Sequence, residues 1–364
     1  MTKQAIITVG LGFGDESKGA SVDALCRQYS ASLVVRYSGG CQSGHNVELP
    51  DGRRHTFSQF GAGTLCGVPT YLGQQMIVDP LAMVREAAHL VELTGESPFN
   101  KLTVHPKCLV TTQYTRQMNR WKCRHANHSC GHGIGETRDY WLKYGNDSIL
   151  WEDLGFDRLD VLEDKLELQR QRLLNTLPDA SDRMAVEFES SRFVASRMVR
   201  AELFESAVSR ICNWDGTAVF EGSQGILIDE THGLGDERYR TFSDVTPHHA
   251  LELCRGVPTC VVGITRSYMT RHGDGPFPCK PLTGPHVDLG NPANEWQGAI
   301  RFGEMSFALL QSAAGAAKPD MLMVSHLDQC ETDMDQMASI APLLAVSRGP
   351  THEDRSFLAD PLFR

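Results

Sequence analysis

The chain has 364 residues, with 35 lysines and arginines against 45 acidic residues and a formal charge of −10 at pH 7. That balance excludes the basic class of proteins that coat nucleic acid, and no apolar run reaches the roughly 18 residues a membrane-spanning helix needs. The length exceeds one ordinary hydrophobic core, so two domains or one large sheet with inserted lobes is expected.

In chain order, Met1-Thr2-Lys3-Gln4 leads at once into the apolar strand Ala5-Ile6-Ile7-Thr8-Val9, with no signal peptide; a soluble, cytoplasmic protein is expected. A glycine-rich loop, Gly10 to Gly19, follows. It opens a helix with Val22, Leu25, Cys26 and Tyr29 on one face, and Leu33-Val34-Val35 is a second strand ending at Arg36. Asp79-Pro80 supplies an N-cap and first helical position for a helix through Leu93, with Leu81, Val84, Ala88 and Val91 as its apolar side. Helices are expected near 161–176 and 195–212, and strands at Ala218-Val219-Phe220, Cys260-Val261-Val262-Gly263 and Met321-Leu322-Met323-Val324. The Gly-, Pro- and Asn-rich stretch 284–297 reads as a mobile loop.

Alternating elements imply an α/β fold with a large, mainly parallel sheet flanked by helices. Motifs spread from end to end favour one unit over 1–364, with a helical insertion around 120–212. Ligands then gather at the carboxyl ends of the strands, where the glycine motifs lie. The eleven cysteines are an odd number and suggest free thiols. Cys123 to His132 is dense in Cys and His, but its ligands are too close together for the usual zinc spacing. A nucleotide-binding loop with incidental histidines is the better reading.

A strand, a glycine loop and a helix N-terminus form an anion site, because unpaired backbone N–H groups and the helix dipole point at its guest. Phosphate is the expected guest. A Walker A loop fails here, since Lys18 stands between Ser17 and Gly19 at the wrong spacing. A dinucleotide fingerprint fails too, since the third glycine comes one place early and the next strand ends in Arg36 rather than an acid.

Gly14-Asp15-Glu16-Ser17-Lys18-Gly19 and Arg36-Tyr37-Ser38-Gly39-Gly40-Cys41-Gln42-Ser43-Gly44-His45-Asn46 do resemble the G-D-E-G-K-G and R-Y-x-G-G-x-N-A-G-H-T loops of the adenylosuccinate synthetase family. Phe220-Glu221-Gly222-Ser223-Gln224-Gly225 is similar to its F-E-G-A-Q-G, and Gly263 to Pro278 to its G-x-x-K-A-Y-x-T-R-V-G-x-G-P-F-P. Gly133-Ile134-Gly135 and Ser347-Arg348-Gly349-Pro350 match further segments, in family order.

The resemblance implies a P-loop-related fold, magnesium, a nucleoside triphosphate donor and a ligase that phosphorylates the purine 6-oxygen before aspartate displaces it. It implies Asp15 as general base and metal ligand, the Gly44 carbonyl as a second ligand, His45 as acid or hydrogen-bond donor to the 6-oxygen, and Lys18 on the transferring phosphoryl group. It places the donor nucleotide on Gly14, Glu16, Lys18, Gly19, His326, Asp328, Ser347, Gly349 and Pro350. It places the purine monophosphate and aspartate on Ser17, Gln42, Asn46, Ser129, Cys130, Gly131, Gln224, Thr241, Arg271 and Arg301, with Arg266 a further candidate contact. Family members are homodimers in which an arginine crosses to the other subunit, and Arg138 is the nearest candidate.

Three departures narrow the reading. The guanine-reading T-K-x-D segment is replaced by Ser325-His326-Leu327-Asp328, whose missing lysine favours an adenine donor, ATP or dATP. Ser17 offers a hydroxyl acceptor for the 2-amino group that separates guanine from hypoxanthine. The chain is also short. Together these resemble the phage-type members, the 2-aminoadenylosuccinate synthetases, which join L-aspartate to dGMP with ATP to give N6-succino-2-amino-2′-deoxyadenylate for 2-aminoadenine DNA. An ordinary enzyme using IMP and GTP, and a regulator that binds purine nucleotides without turnover, are the alternatives. The aspartate site has one arginine, Arg301, where the family's T-T-G-R-x-R-R-T-G loop has several.

Overall fold

The computed structural model describes residues 2–123, 129–176, 214–283, 288, 290–291 and 298–364. Among them are fifteen strands: β1 (Gln4–Gly10), β2 (Leu33–Arg36), β3 (His45–Glu48), β4 (Arg54–Phe57), β5 (Thr70–Leu72), β6 (Ile77–Val78), β7 (Leu102–Val104), β8 (Leu109–Val110), β9 (Thr217–Glu221), β10 (Thr259–Arg266), β11 (Met269–His272), β12 (Ile300–Gly303), β13 (Met321–Ser325), β14 (Leu343–Ser347) and β15 (Arg355–Phe357). The helices are α1 (Lys18–Gln28), α2 (Pro80–Thr94), α3 (Gln113–Cys123), α4 (Ile134–Tyr144), α5 (Leu159–Leu174), α6 (His248–Leu253), α7 (Phe307–Ala317) and α8 (Met334–Ile340). The expected 195–212 helix, most of the 284–297 loop and residues 124–128 of the Cys/His stretch lie outside the described residues.

Nine strands form one sheet in the order β15-β14-β13-β10-β1-β9-β2-β5-β7, parallel throughout except where β15 runs against β14. The apolar run of β1 explains its central place. Ile6 packs into one core while Ala5, Ile7 and Val9 pack into another on the opposite face, which is the burial a strand covered by helices on both sides requires. Register brings the carboxyl ends into line: Gly10 pairs with Ile264, Arg36 with Glu221, and Arg266 with Ser325. Every glycine loop near these residues therefore opens on one edge. Two antiparallel ribbons stand at that edge, β3–β4, with His45 opposite Phe57, and β11–β12, with Arg271 opposite Arg301.

The α2 helix forms where its cap signal places it, and the Asp79 carboxylate accepts from the backbone N–H groups of Leu81 and Ala82 at 3.0 and 3.1 Å. Its buried face differs from the expected one. Met83, Glu86, Ala87 and Leu90 turn inward, while Val91 is 41% exposed and Ala88 is exposed. The cause is Glu86, whose carboxylate accepts from the backbone N–H groups of Ser58, Gln59 and Phe60 and so sets the rotation of the helix.

Candidate functional site

The loop after β1 is shaped around a buried carboxylate. Glu16 Oε1 accepts from the Gly14 N–H at 2.6 Å, and Glu16 Oε2 accepts from Lys18 Nζ at 2.8 Å, with Lys18 also donating to the Gly14 carbonyl at 2.7 Å. A Cβ at Gly12 would fall 2.6 Å from Glu16 Oε1, so glycine is needed there for the carboxylate to enter. Helix α1 begins at Lys18, directing its N-terminal N–H groups and dipole at this loop. Across from it, a Cβ at Gly19 would fall 2.7 Å from the Asn46 carbonyl oxygen, so the two glycine loops touch only because Gly19 has no side chain.

His45 starts the β3–β4 ribbon and is buried. Its Nδ1 is bonded to Glu221, whose other carboxylate oxygen accepts from the Ala62 N–H at 3.0 Å, while His45 Nε2 is buried without a partner. Burial lowers the His45 pKa to about 4 despite the neighbouring Glu221. Burial also works against the Glu221 carboxylate, but Arg36 and then His45 outweigh it and hold it below its usual range. Arg36, fully buried, reaches Ser58 O at 2.8 Å, Phe60 O at 3.4 Å and Ser223 Oγ at 3.3 Å. The free imidazole is thus neutral, with Nδ1–H donated to Glu221 and the Nε2 lone pair left for a guest.

A cavity of about 620 Å³ opens between the loops. Gly14, Asp15, Ser17, Lys18, Gly19, Gly44, His45, Asn46, His326, Asp328, Ser347, Gly349 and Pro350 all line it, so the structure brings together most of the residues marked for the donor and for catalysis. Glu16 is the exception, since its carboxylate turns inward to the loop. Asp15 is half-buried, and burial raises its pKa while Arg266 and Lys18 oppose the rise. Its carboxylate and the exposed Gly44 backbone face the same cavity, an all-oxygen donor pair that suits magnesium.

Ser17 stands beside the segment expected to receive the donor base. It holds a left-handed φ of 66°, and its hydroxyl lies 3.4 Å from His326 Nδ1, itself in a residue with φ of 63°. His326 Nδ1 is also 2.9 Å from Ser325 Oγ, and burial lowers its pKa to about 3. The hydroxyl expected to meet the acceptor's 2-amino group therefore faces the segment that replaces the guanine-reading lysine. Asp328 remains exposed at the cavity wall.

The residues marked for purine monophosphate and aspartate are more scattered. Gln42 Oε1 is buried without a partner, and the Gln224 side chain packs beside Gly14 in a left-handed turn of φ 60°. Ser129 donates to Asn119 Oδ1 at 2.9 Å and Gly131 accepts from Arg120 at 3.2 Å, which fixes Ser129, Cys130 and Gly131 against α3. Thr241 pairs with Ser243 at 3.2 Å. Arg271 is buried and spends its guanidinium on three carbonyls, those of Asp274, Pro276 and Tyr239, at 3.1, 2.9 and 3.0 Å. It braces the ribbon and lies 4.9 Å from the Phe13 ring centroid. Arg301, opposite it, is half-buried, donates to Gly275 O at 3.0 Å and keeps Nε without a partner. Arg138 pairs with Glu230 of its own chain at 3.0 Å, so a crossing role would require that pair to open.

Glu221 lies within the Phe220 to Gly225 motif, which gives it no role of its own. Its position at the end of a strand, one residue before a glycine turn, was the available signal. Arg36 enters the sequence reading only as the residue that breaks the dinucleotide pattern, whereas Arg266, a candidate substrate contact there, lines the cavity.

The adenylosuccinate synthetase family model matches residues 7–338. The adenylosuccinate synthetase of Francisella philomiragia is 29% identical over 291 residues, 75% of this chain and 64% of the relative, so the matched region spans less than two thirds of that protein. The adenylosuccinate synthetase of Thermoplasma acidophilum is 26% identical over 343 residues, covering 88% of this chain and 74% of the relative. Two solved structures share the fold. A fully ligated adenylosuccinate synthetase from Plasmodium falciparum has a TM-score of 0.77 at 16% identity, over 97% of this chain and 99% of that one. The succinoaminodeoxyadenylate synthetase of cyanophage S-2L, bound to dGMP and to dATP as energy donor, has a TM-score of 0.69 at 17% identity, over 98% and 96%.

Proposed function

Because this chain belongs to the adenylosuccinate synthetase family, we propose that it joins L-aspartate to C6 of dGMP with hydrolysis of ATP or dATP, giving N6-succino-2-amino-2′-deoxyadenylate, ADP or dADP, and phosphate. The observation that carries the reading is the convergence of Asp15, Lys18 and the Glu221-bound His45 on one cavity. The donor choice draws on His326 standing where the family reads guanine with lysine. The cyanophage neighbour, bound to dGMP and dATP, adds to it.

In this reading Asp15 takes the N1 proton of the purine, and the charge shifts to the 6-oxygen, which attacks the γ-phosphoryl group. His45 Nε2 meets that oxygen. As the anionic substrates bind, the ring takes a proton from solvent onto Nε2, the Glu221 carboxylate stabilises the resulting imidazolium, and the Nε2–H donates to the oxygen as negative charge builds there. Lys18 leaves Glu16 and the Gly14 carbonyl for the phosphoryl oxygens, and the α1 N-terminus adds its dipole. Asp15 and the Gly44 carbonyl would hold magnesium, which would supply charge neutralisation on the donor phosphates. The aspartate amine, its carboxylate held by Arg301, then attacks C6 and expels phosphate. The protein acts as a homodimer, as the family does.

The deciding experiment is phosphate release with dGMP, GMP and IMP, each with aspartate and each of ATP, dATP and GTP. Preference for dGMP with an adenine donor is expected. Preference for IMP with GTP would establish the second reading, which the retained Asp328 favours, since a carboxylate can accept from the N1–H and 2-amino groups of guanine. Stoichiometric nucleotide binding without phosphate release would leave only the regulator.

A further inference from the structure

We infer that Arg266 is a positioning residue that fixes the Asp15 loop and ties it to the loop receiving the donor base. The inference rests on the reading above and adds to it a role that Arg266, on the cavity wall, plays through the protein's own groups. Arg266 closes β10, and only 5% of its surface is exposed. Its three nitrogens point three ways: Nε donates to the Asp15 carbonyl, Nη1 to Tyr268 Oη at 3.2 Å, and Nη2 to Asp288 Oδ2 at 2.6 Å.

Each bond reaches a different part of the cavity. The bond to the Asp15 carbonyl leaves that residue's carboxylate free for a proton or a metal while holding its backbone. Tyr268 passes the connection on, since its hydroxyl donates to Gln329 Oε1 at 2.8 Å and its ring lies edge-on to His326 at 5.6 Å. Ser267, between them, donates its hydroxyl to the His326 carbonyl at 2.9 Å and its N–H to the Ser325 carbonyl at 2.9 Å. Asp288 accepts from the Gly290 N–H at 3.0 Å, and the Gly290 carbonyl accepts from Asn46 at 3.3 Å, which brings in the His45 ribbon. Three segments of the wall, carrying Asp15, residues 325–329 and Asn46, thus share one guanidinium.

The planar fork is what the arrangement needs. A lysine keeps the charge but offers one nitrogen and cannot reach three divergent acceptors at fixed angles. A misplacement of about 1 Å at a reacting group costs on the order of a hundredfold in rate, so a residue that only holds Asp15 can still govern turnover.

The test compares Arg266→Lys, Arg266→Ala and Tyr268→Phe with the wild type. In Arg266→Lys, kcat should fall roughly ten- to a hundredfold while KM for the purine monophosphate moves by less than about threefold. Millimolar guanidinium should restore part of the Arg266→Ala rate and methylammonium should not. Tyr268→Phe, which leaves Asp15 held, should raise the donor KM with kcat within about threefold. A near-normal kcat in Arg266→Lys, or equal rescue by both cations, overturns the inference. If the wild type turns over no purine, the proposed reaction is what has failed. Amide exchange then decides the positioning without substrate: faster exchange over residues 11–17 and 325–329 in Arg266→Lys at unchanged overall stability supports it, and unchanged exchange refutes it.

Discussion

His45 and Glu221 are bonded through Nδ1 and a carboxylate oxygen at the junction of two glycine loops, although they lie 176 residues apart in the chain. The bond fixes the tautomer, because an ionised Glu221 can only accept and so the proton sits on Nδ1. Glu221 is itself placed by the register that sets it beside Arg36.

Replacing Glu221 with Gln keeps the shape and removes the charge that would stabilise an imidazolium. We expect kcat to drop roughly a hundredfold or more with the acceptor KM nearly unchanged. Steady-state kinetics on the folded variant check it, and an acceptor KM that rises in step with the loss of kcat would mean that Glu221 shapes binding instead.

Asp15→Asn should retain nucleotide binding and lose phosphoryl transfer, since an amide cannot take the N1 proton and coordinates magnesium less well. Calorimetric titration with each nucleotide, alongside phosphate release, separates the two effects. Measurable turnover near the wild-type rate would exclude Asp15 as the base.

Arg301 is the half-buried cation with a nitrogen to spare, whereas Arg271 is bound to three carbonyls. Arg301→Ala should therefore raise the aspartate KM strongly, by roughly tenfold or more, and leave the dGMP KM nearly intact. Arg271→Ala should instead lower the melting temperature. Equal loss of both substrates in Arg301→Ala would remove it from the aspartate site.

Because Ser17 faces His326, exchanges at these two positions should move donor preference before acceptor preference. His326→Lys should raise the ratio of GTP to ATP use by about tenfold, and Ser17→Gly should alter the same ratio more than the ratio of dGMP to IMP. Competition assays with mixed donors measure this directly. A Ser17→Gly variant that changes only dGMP against IMP would return the hydroxyl to the acceptor.

Burial lowers His45 to about 4 and His326 to about 3, from an ordinary 6.5. The unfolded chain therefore binds more protons than the folded one between those values, so this stabilisation is complete above pH 6.5 and is lost as pH falls toward 4 and 3. Urea midpoints should decline from pH 7 to 5. His326→Asn, which cannot titrate, should make the decline shallower, and an unchanged slope would show that His326 accepts a proton in the native state.

Much of the sheet was legible because buried parallel strands read as short apolar runs: 5–9, 33–35, 218–220, 260–263 and 321–324 all lie within observed strands. The glycine loops were legible for the same reason, since their spacing follows strand ends. Helix α2 was legible in its start but not in its rotation, because Glu86 serves a loop some 27 residues earlier. The three carbonyls that Arg271 binds were not legible, because only the tertiary fold sets their positions. Glu221 and Arg266 act on partners 176 and 251 residues away, a relationship no local pattern contains.

Strand β9 lies between β1 and β2, and its Phe220 carbonyl accepts from Thr8, 212 residues upstream. A nascent chain carrying only the first half of the sequence thus holds its two glycine loops on strands with an empty lane between them. Loop closure over that distance makes the pairing slow relative to local helix formation. Synthesis places Glu221 with its turn in the middle of a sheet already begun, so a truncated or stalled product keeps both loops and lacks the seam that joins them.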